Sequence, residues 1–151
     1  MPEPTPDTQP YWDGAAAGEL RIQRCLDCRV AYFYPRTICP SCGSDQVEWF
    51  SASGDATLYS YVINYRPAPG FEEDVPYAIA VVQLAEGPRM MSSIRGVPAT
   101  PEDLVLDMPL RVAFEQRGDV WLPVFGPPNG GVAAQAGQRA GVAGAATEEA
   151  R

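Results

Sequence analysis

From residue 56 to residue 125 the chain repeats one pattern: a short run of apolar, β-branched or aromatic residues, then glycine, proline or charge. The runs are Ala56 to Tyr65 (ATLYSYVINY), Tyr77 to Leu84 (YAIAVVQL), Arg89 to Arg95 (RMMSSIR), Leu110 to Gln116 (LRVAFEQ) and Val120 to Phe125 (VWLPVF). Runs of this length and composition predict five β-strands. In the first, the odd positions Tyr59, Tyr61, Ile63 and Tyr65 form one apolar face. The stretch from Arg66 to Val75, with two prolines and Gly70, reads as a long polar loop. Thr100-Pro101-Glu102-Asp103 opens a single helical turn, because Thr100 caps it, Pro101 fits its first turn and Pro109 lies close behind. Five strands with one helical turn predict a small barrel, and the oligonucleotide/oligosaccharide-binding (OB) fold has that strand count. A half-sandwich is the alternative.

Upstream the pattern is less regular. Residues 1–7 form a lead, and 8–18 a short helix capped by Asp7 or Thr8, with Pro10 in its first turn and Gly18 at its end. Leu20 to Arg24, Val30 to Tyr34 and Gln46 to Phe50 read as short strands around two cysteine pairs, and Ser51 to Gly54 as a hinge-like turn. From Pro127 onward glycine, alanine and glutamine dominate, with no aromatic residue and nothing to build a core from. This stretch is expected to be disordered. The expected organisation is a lead and helix (1–18), a metal ribbon (19–50), a barrel (51–127) and a tail (128–151).

The cysteine pairs carry the clearest chemistry. Cys25 and Cys28 (CLDC) and Cys39 and Cys42 (CPSC) are the only cysteines. Two such knuckles grip one tetrahedral ion, and zinc is the expected one. Iron in a rubredoxin-type site uses the same four sulfurs. Two disulfides would need an oxidising compartment, and the acidic, proline-rich start MPEPTPDTQP shows no secretory signal. Rubredoxin knuckles usually carry glycine after the second cysteine; Gly43 follows Cys42, but Arg29 follows Cys28. Four thiolates fill a zinc coordination shell, so such a site is structural.

Composition narrows the function. The 151 residues contain no histidine and no lysine, and all 11 basic residues are arginine. With every cysteine on the metal, the usual nucleophiles, general bases and Schiff-base amines are missing or engaged. A binding or accessory module is expected, without catalytic residues. The formal charge of −8 falls to about −10 with four thiolates and Zn²⁺. A polyanion is repelled by such a chain, so nucleic acid is not an expected partner. No apolar run approaches the roughly 20 residues of a membrane helix, and a cytoplasmic location is expected.

Several residues invite a functional reading. Tyr11 and Trp12, on the helix ahead of the ribbon, together with Tyr32 and Tyr34 on it, are candidates for a protein interface. The competing reading is ordinary packing, which also accounts for the barrel tyrosines. Arg21, Arg24, Arg29 and Arg36 form a basic island. Arg21, Arg24 and Arg36 could meet the phosphates of a CoA ligand or an acidic partner patch, or simply cover the negative metal centre. The acids Glu72, Glu73 and Asp74 read as a solvated loop tip.

The order of motifs resembles one family. Pro10-Tyr11-Trp12, the stretch Gly18 to Cys25, Tyr34-Pro35-Arg36, the CPSCGS knuckle, Trp49, Ser53-Gly54, Pro76-Tyr77 and Leu84 to Arg89 (LAEGPR) are similar to an acyl-CoA-associated zinc-ribbon/OB-fold family, long catalogued as a domain of unknown function. The resemblance covers about Gln9 to Phe125. It implies a mainly β chain: an N-terminal helix, a rubredoxin-like zinc ribbon and a five-stranded OB barrel. It also implies a structural Zn²⁺ and a non-catalytic role beside an acyl-CoA enzyme, most often a thiolase-like aldolase or thiolase, sometimes a hotdog-fold hydratase. Members of this kind take part in steroid side-chain degradation. The partner would come from another chain, with acyl-CoA at or near the shared interface.

Overall fold

The computed structural model describes residues 3–129. The expected disorder of the tail falls largely outside that range.

Helix α1 (Gln9–Ala16) starts after Thr8 and carries Pro10 in its first turn, where no N–H is required. Thr8 Oγ1 accepts the Trp12 indole N–H at 3.2 Å, so the residue ahead of the helix ties down a core side chain. Strands β1 (Arg21–Cys25), β2 (Ala31–Tyr32) and β3 (Val47–Ser51) form an antiparallel sheet in the order β2-β1-β3. The strand expected over Val30 to Tyr34 shrinks to two residues.

Strands β4 (Asp55–Asn64), β5 (Tyr77–Leu84), β6 (Arg89–Ile94), β7 (Pro109–Arg117) and β8 (Val120–Gly126) close into a barrel in the order β4-β5-β6-β8-β7. The β6–β8 pair is parallel, at Ile94 opposite Phe125, and the remaining pairs are antiparallel. This five-stranded Greek-key closure is the OB-fold expected from the strand count. Gly54 starts it: φ is +84°, and a Cβ there would lie 2.6 Å from Val112 Cγ1.

The tyrosine face expected on β4 is corrected. The register shifts between Leu58 and Ser60. Ala56 and Leu58 point inward before this bulge; Tyr61 and Ile63 pack on the core after it. Tyr59 is 47% exposed, and Tyr65, beyond the strand end, is 70% exposed. A bulge adds one residue and reverses the alternation. The turn at Thr100 forms as a capped turn, with the Asp103 amide donating to Thr100 Oγ1.

One core runs through the molecule. Phe125, Leu58, Val82, Leu84, Leu104 and Leu110 fill the barrel, and Leu20, Ile22, Tyr11 and Trp12 join the same cluster. Among the described residues, no helix is long and apolar enough to cross a membrane.

Candidate metal centre

The two knuckles repeat one hydrogen-bond pattern. The Cys25 amide donates to Val30 C=O at 3.0 Å, and Cys25 C=O accepts the Arg29 amide at 3.1 Å. The Cys39 amide donates to Ser44 C=O at 2.8 Å, and Cys39 C=O accepts the Gly43 amide at 3.0 Å. Each turn therefore needs a left-handed residue directly after its second cysteine. Gly43 supplies it at φ +77°; Arg29 is held at φ +64° in the same place. The first knuckle is strained where the second is not.

This geometry brings all four sulfurs within 4.8 Å of one another. Cys25 and Cys42 lie 3.6 Å apart, Cys28 and Cys39 3.7 Å. A tetrahedron with Zn–S bonds of about 2.3 Å has edges of about 3.8 Å, so the donor set fits a zinc ion. All four cysteines are free, and sulfurs at these separations are not bonded to one another as disulfides. Cys25 and Cys39 are buried, Cys28 is half-buried and Cys42 faces solvent.

The sulfurs cannot all ionise without a cation. The Cys28 amide outweighs burial and holds the Cys25 thiol below its usual range. At Cys39 burial acts upward, but the Cys42 and Ser41 amides and nearby sulfurs bring it down to about 7. At Cys28 the Val30 amide acts downward, yet burial and the Cys39 and Cys25 sulfurs leave it raised. Cys42 is favoured by the Ser44 amide but is pushed up to about 12 by Cys25, burial and the other sulfurs. A divalent ion at the centre removes this mutual repulsion.

Two polar side chains pin the loop between the knuckles. Buried Gln23 accepts the Arg36 amide on Oε1 at 2.7 Å, and the Tyr32 hydroxyl donates to Arg36 C=O at 3.0 Å. Burial, then the charges of Cys39 and Cys25, push the Tyr32 phenol up. The Ser44 hydroxyl bonds to Asp27, joining the two knuckles.

Three expected interface anchors are corrected. Tyr11 and Trp12 are only 5% and 9% exposed, and Tyr32 is 5% exposed. Helix α1 packs back on β8 and β1, so its aromatic face is core of this chain. Burial, then Tyr34, pushes the Tyr11 phenol up. Tyr34 remains 44% exposed, in edge contact with Tyr11 at 6.1 Å. The basic island is partly engaged: Arg21 pairs with Glu19 at 2.9 Å, and Arg24 pairs with Glu48 and lies over the Phe50 ring. The Arg36 side chain is exposed.

A second cluster was not foreseen. Arg95 and Arg117 both bind the Glu115 carboxylate, and Arg117 reaches Asp74 at 2.6 Å. Arg117 also lies over the Phe71 ring, 4.8 Å from its centre. The cluster ties the β4–β5 loop to the β7–β8 turn. Asp74 is thus an ion-pair partner, whereas the sequence suggested a solvated tip; Glu72 and Glu73 are exposed as expected. Charges far apart in the chain gave no signal of this pairing.

Comparison with known proteins fits this geometry. Residues 12–48 match the family description "ChsH2, rubredoxin-like zinc ribbon domain", and residues 49–115 match "ChsH2, C-terminal OB-fold domain". A Mycobacterium tuberculosis protein named 3-oxo-4,17-pregnadiene-20-carboxyl-CoA hydratase alpha subunit is 36% identical over 117 residues, which is 75% of this chain and 35% of that protein. The chain spans about a third of the length of the hydratase subunits that it matches. A DUF35 domain-containing scaffold protein of Methanocaldococcus jannaschii is 34% identical over 107 residues, covering 68% of this chain and 74% of the relative. The solved structure of an Ltp2-ChsH2(DUF35) aldolase matches at TM-score 0.72 and 32% identity, covering 84% of this chain and 98% of the matched one. The cysteine tetrad is accordingly a structural zinc site, and the chain belongs to the ChsH2/DUF35 family of zinc-ribbon and OB-fold proteins.

Proposed function

We propose that this chain is a non-catalytic accessory subunit of an acyl-CoA enzyme, and that the enzyme is a thiolase-like aldolase or thiolase. The observation that carries the reading is the near-complete match to one chain of a solved aldolase assembly, in a chain whose four thiols fit a structural metal. The relative named as a steroid-CoA hydratase subunit supports an acyl-CoA setting, and the scaffold name of a second relative supports a supporting role. In this reading the chain stabilises its partner and helps shape the partner's acyl-CoA entrance, in the cytoplasm. Arg36 and Tyr34, exposed on the ribbon, are the surviving candidates for contact with CoA phosphate or with the partner; Arg21 and Arg24 would first have to leave Glu19 and Glu48.

The test is affinity purification of the tagged chain from its own host, with mass spectrometry of what accompanies it. The expected result is one acyl-CoA enzyme subunit in a fixed molar ratio. A chain that purifies alone, or with nucleic acid released by salt, contradicts the proposal.

A further inference from the structure

The barrel closes by a single rung on one side. Strand β6 meets β8 only at Ile94 opposite Phe125. Below that rung the direction of the backbone groups follows from the ladder. The Leu84 amide donates to Pro88 C=O at 2.9 Å, so even-numbered residues of β6 bond to β5 and odd-numbered ones face the other way. Arg95, of the odd set, donates to Phe125 C=O at 2.8 Å. Arg89 and Met91 belong to the same set. Among the described residues, no strand pairs with them on that side.

The facing strand is blunted. Phe125 and Pro123 have the same parity on β8, so Pro123 faces the gap. It has no N–H, and its carbonyl already accepts the Ser92 hydroxyl at 2.8 Å. One side of the seam offers free backbone donors and acceptors, and the other is partly closed. Between them lies a cleft of about 300 Å³, with Tyr11, Phe71, Ile79, Met91, Leu122 and Val124 in its lining. The outer surface beside it is apolar as well. Val62 sits opposite Ile79, and Val81 opposite Met91; Val62 and Met91 are 60% and 69% exposed. Strand β5 is therefore apolar on both faces, which is the pattern of a strand covered on both sides.

We infer that this seam receives an extended segment of a partner polypeptide, which pairs its backbone with Arg89 and Met91 of β6 and seats an apolar side chain in the cleft. Unpaired strand groups in two-residue register are satisfied by another extended chain. Nucleic acid does not suit the site: the arginine in its lining, Arg95, is already held by Glu115 at 2.9 Å, and the chain carries −8 overall. The inference rests on the accessory-subunit reading, since it assigns that reading's partner a place to dock.

Residue-resolved amide hydrogen exchange tests it. The probe is the enzyme subunit that accompanies the tagged chain, purified separately and added back. In the free chain, the Met91 amide should exchange at least about 100-fold faster than those of Met90 and Ser92, which bond to β5. In the complex it should slow by about 10-fold or more. Met91→Pro removes the outward N–H together with the side chain and should weaken the complex about 10-fold or more, whereas Met91→Leu keeps the N–H and an apolar side chain and should weaken it less than the proline variant does. Zinc content and circular dichroism report whether the proline variant folds, and the exchange measurement needs no variant. A complex that forms with Met91 exchange unchanged overturns the seam and leaves the accessory reading standing. A Met91 amide already slow in the free chain shows that the edge is covered without a partner, and overturns it too. If no subunit accompanies the chain, both the reading and the seam fail.

Discussion

Arg29 gives the sharpest stability test, because the two knuckles form an internal control. Arg29 and Gly43 occupy equivalent places, at φ +64° and +77°, and each amide closes the same turn. A left-handed conformation costs a non-glycine residue about 1–2 kcal/mol. Glycine loses about 0.5–1 kcal/mol more chain entropy on folding. Arg29→Gly should therefore stabilise the ribbon by about 0.5–1 kcal/mol. Zinc binds only the folded ribbon, so the gain should appear as about 2- to 5-fold tighter zinc binding. The converse is Gly43→Ala. A Cβ at Gly43 would meet nothing within 4 Å, so its cost is backbone strain less the chain entropy that alanine recovers, about 0.5–1 kcal/mol or roughly 2- to 5-fold weaker zinc. The assay is competition with a chromophoric chelator at one fixed pH, because thiol protonation alters the apparent affinity. If Arg29→Gly binds zinc no better than the parent, the argument from strain is wrong and the arginine side chain compensates for its own backbone.

Three further outcomes follow from the same geometry. Cys39→Ser should abolish stoichiometric zinc and unfold the ribbon, read by metal analysis and circular dichroism, because structural zinc supplies much of a ribbon's folding free energy; a metal-free protein of unchanged stability would contradict this. Trp12→Ala removes a buried indole and its bond to Thr8, and should cost about 3–5 kcal/mol in urea unfolding; loss of partner affinity at unchanged stability would return Trp12 to the interface. At Glu115 burial acts to raise the carboxyl, but Arg95 and Arg117 overcome it and hold it below the usual carboxylate range. A depressed folded pKa gives stability that is fully present above the unfolded value and is lost as pH falls through the folded one. Acid unfolding below about pH 4.3 should therefore be flatter in Glu115→Gln, and a parallel acid limb in the variant would refute that assignment.

How much the sequence revealed depended on the range of the contacts. The metal site was legible, because knuckle spacing is a local property and four sulfurs at that spacing have few other uses. The five strands were legible for the same reason: β5 and β8 announce themselves by composition. The tyrosine face of β4 was misread because the bulge near Tyr59 depends on pairing with β5, which alternation along one strand does not show. Tyr11 and Trp12 were misplaced because a helix at the chain's start buries its face against β8, the last strand of the barrel. The cluster of Asp74, Arg95, Glu115 and Arg117 joins three separate segments, and charges so far apart carry no spacing. The seam at Met91 is hidden for a further reason: the direction of a backbone N–H follows from ladder parity, which exists only once register is set.

Accessory function itself is tested most directly by steady-state acyl-CoA turnover, measured for the isolated chain, for its co-purifying subunit alone and for the two combined. No turnover by the chain alone, with activity of the subunit restored or raised by the chain, is the predicted result. Turnover by rigorously subunit-free chain, or a subunit indifferent to its presence, would contradict the account.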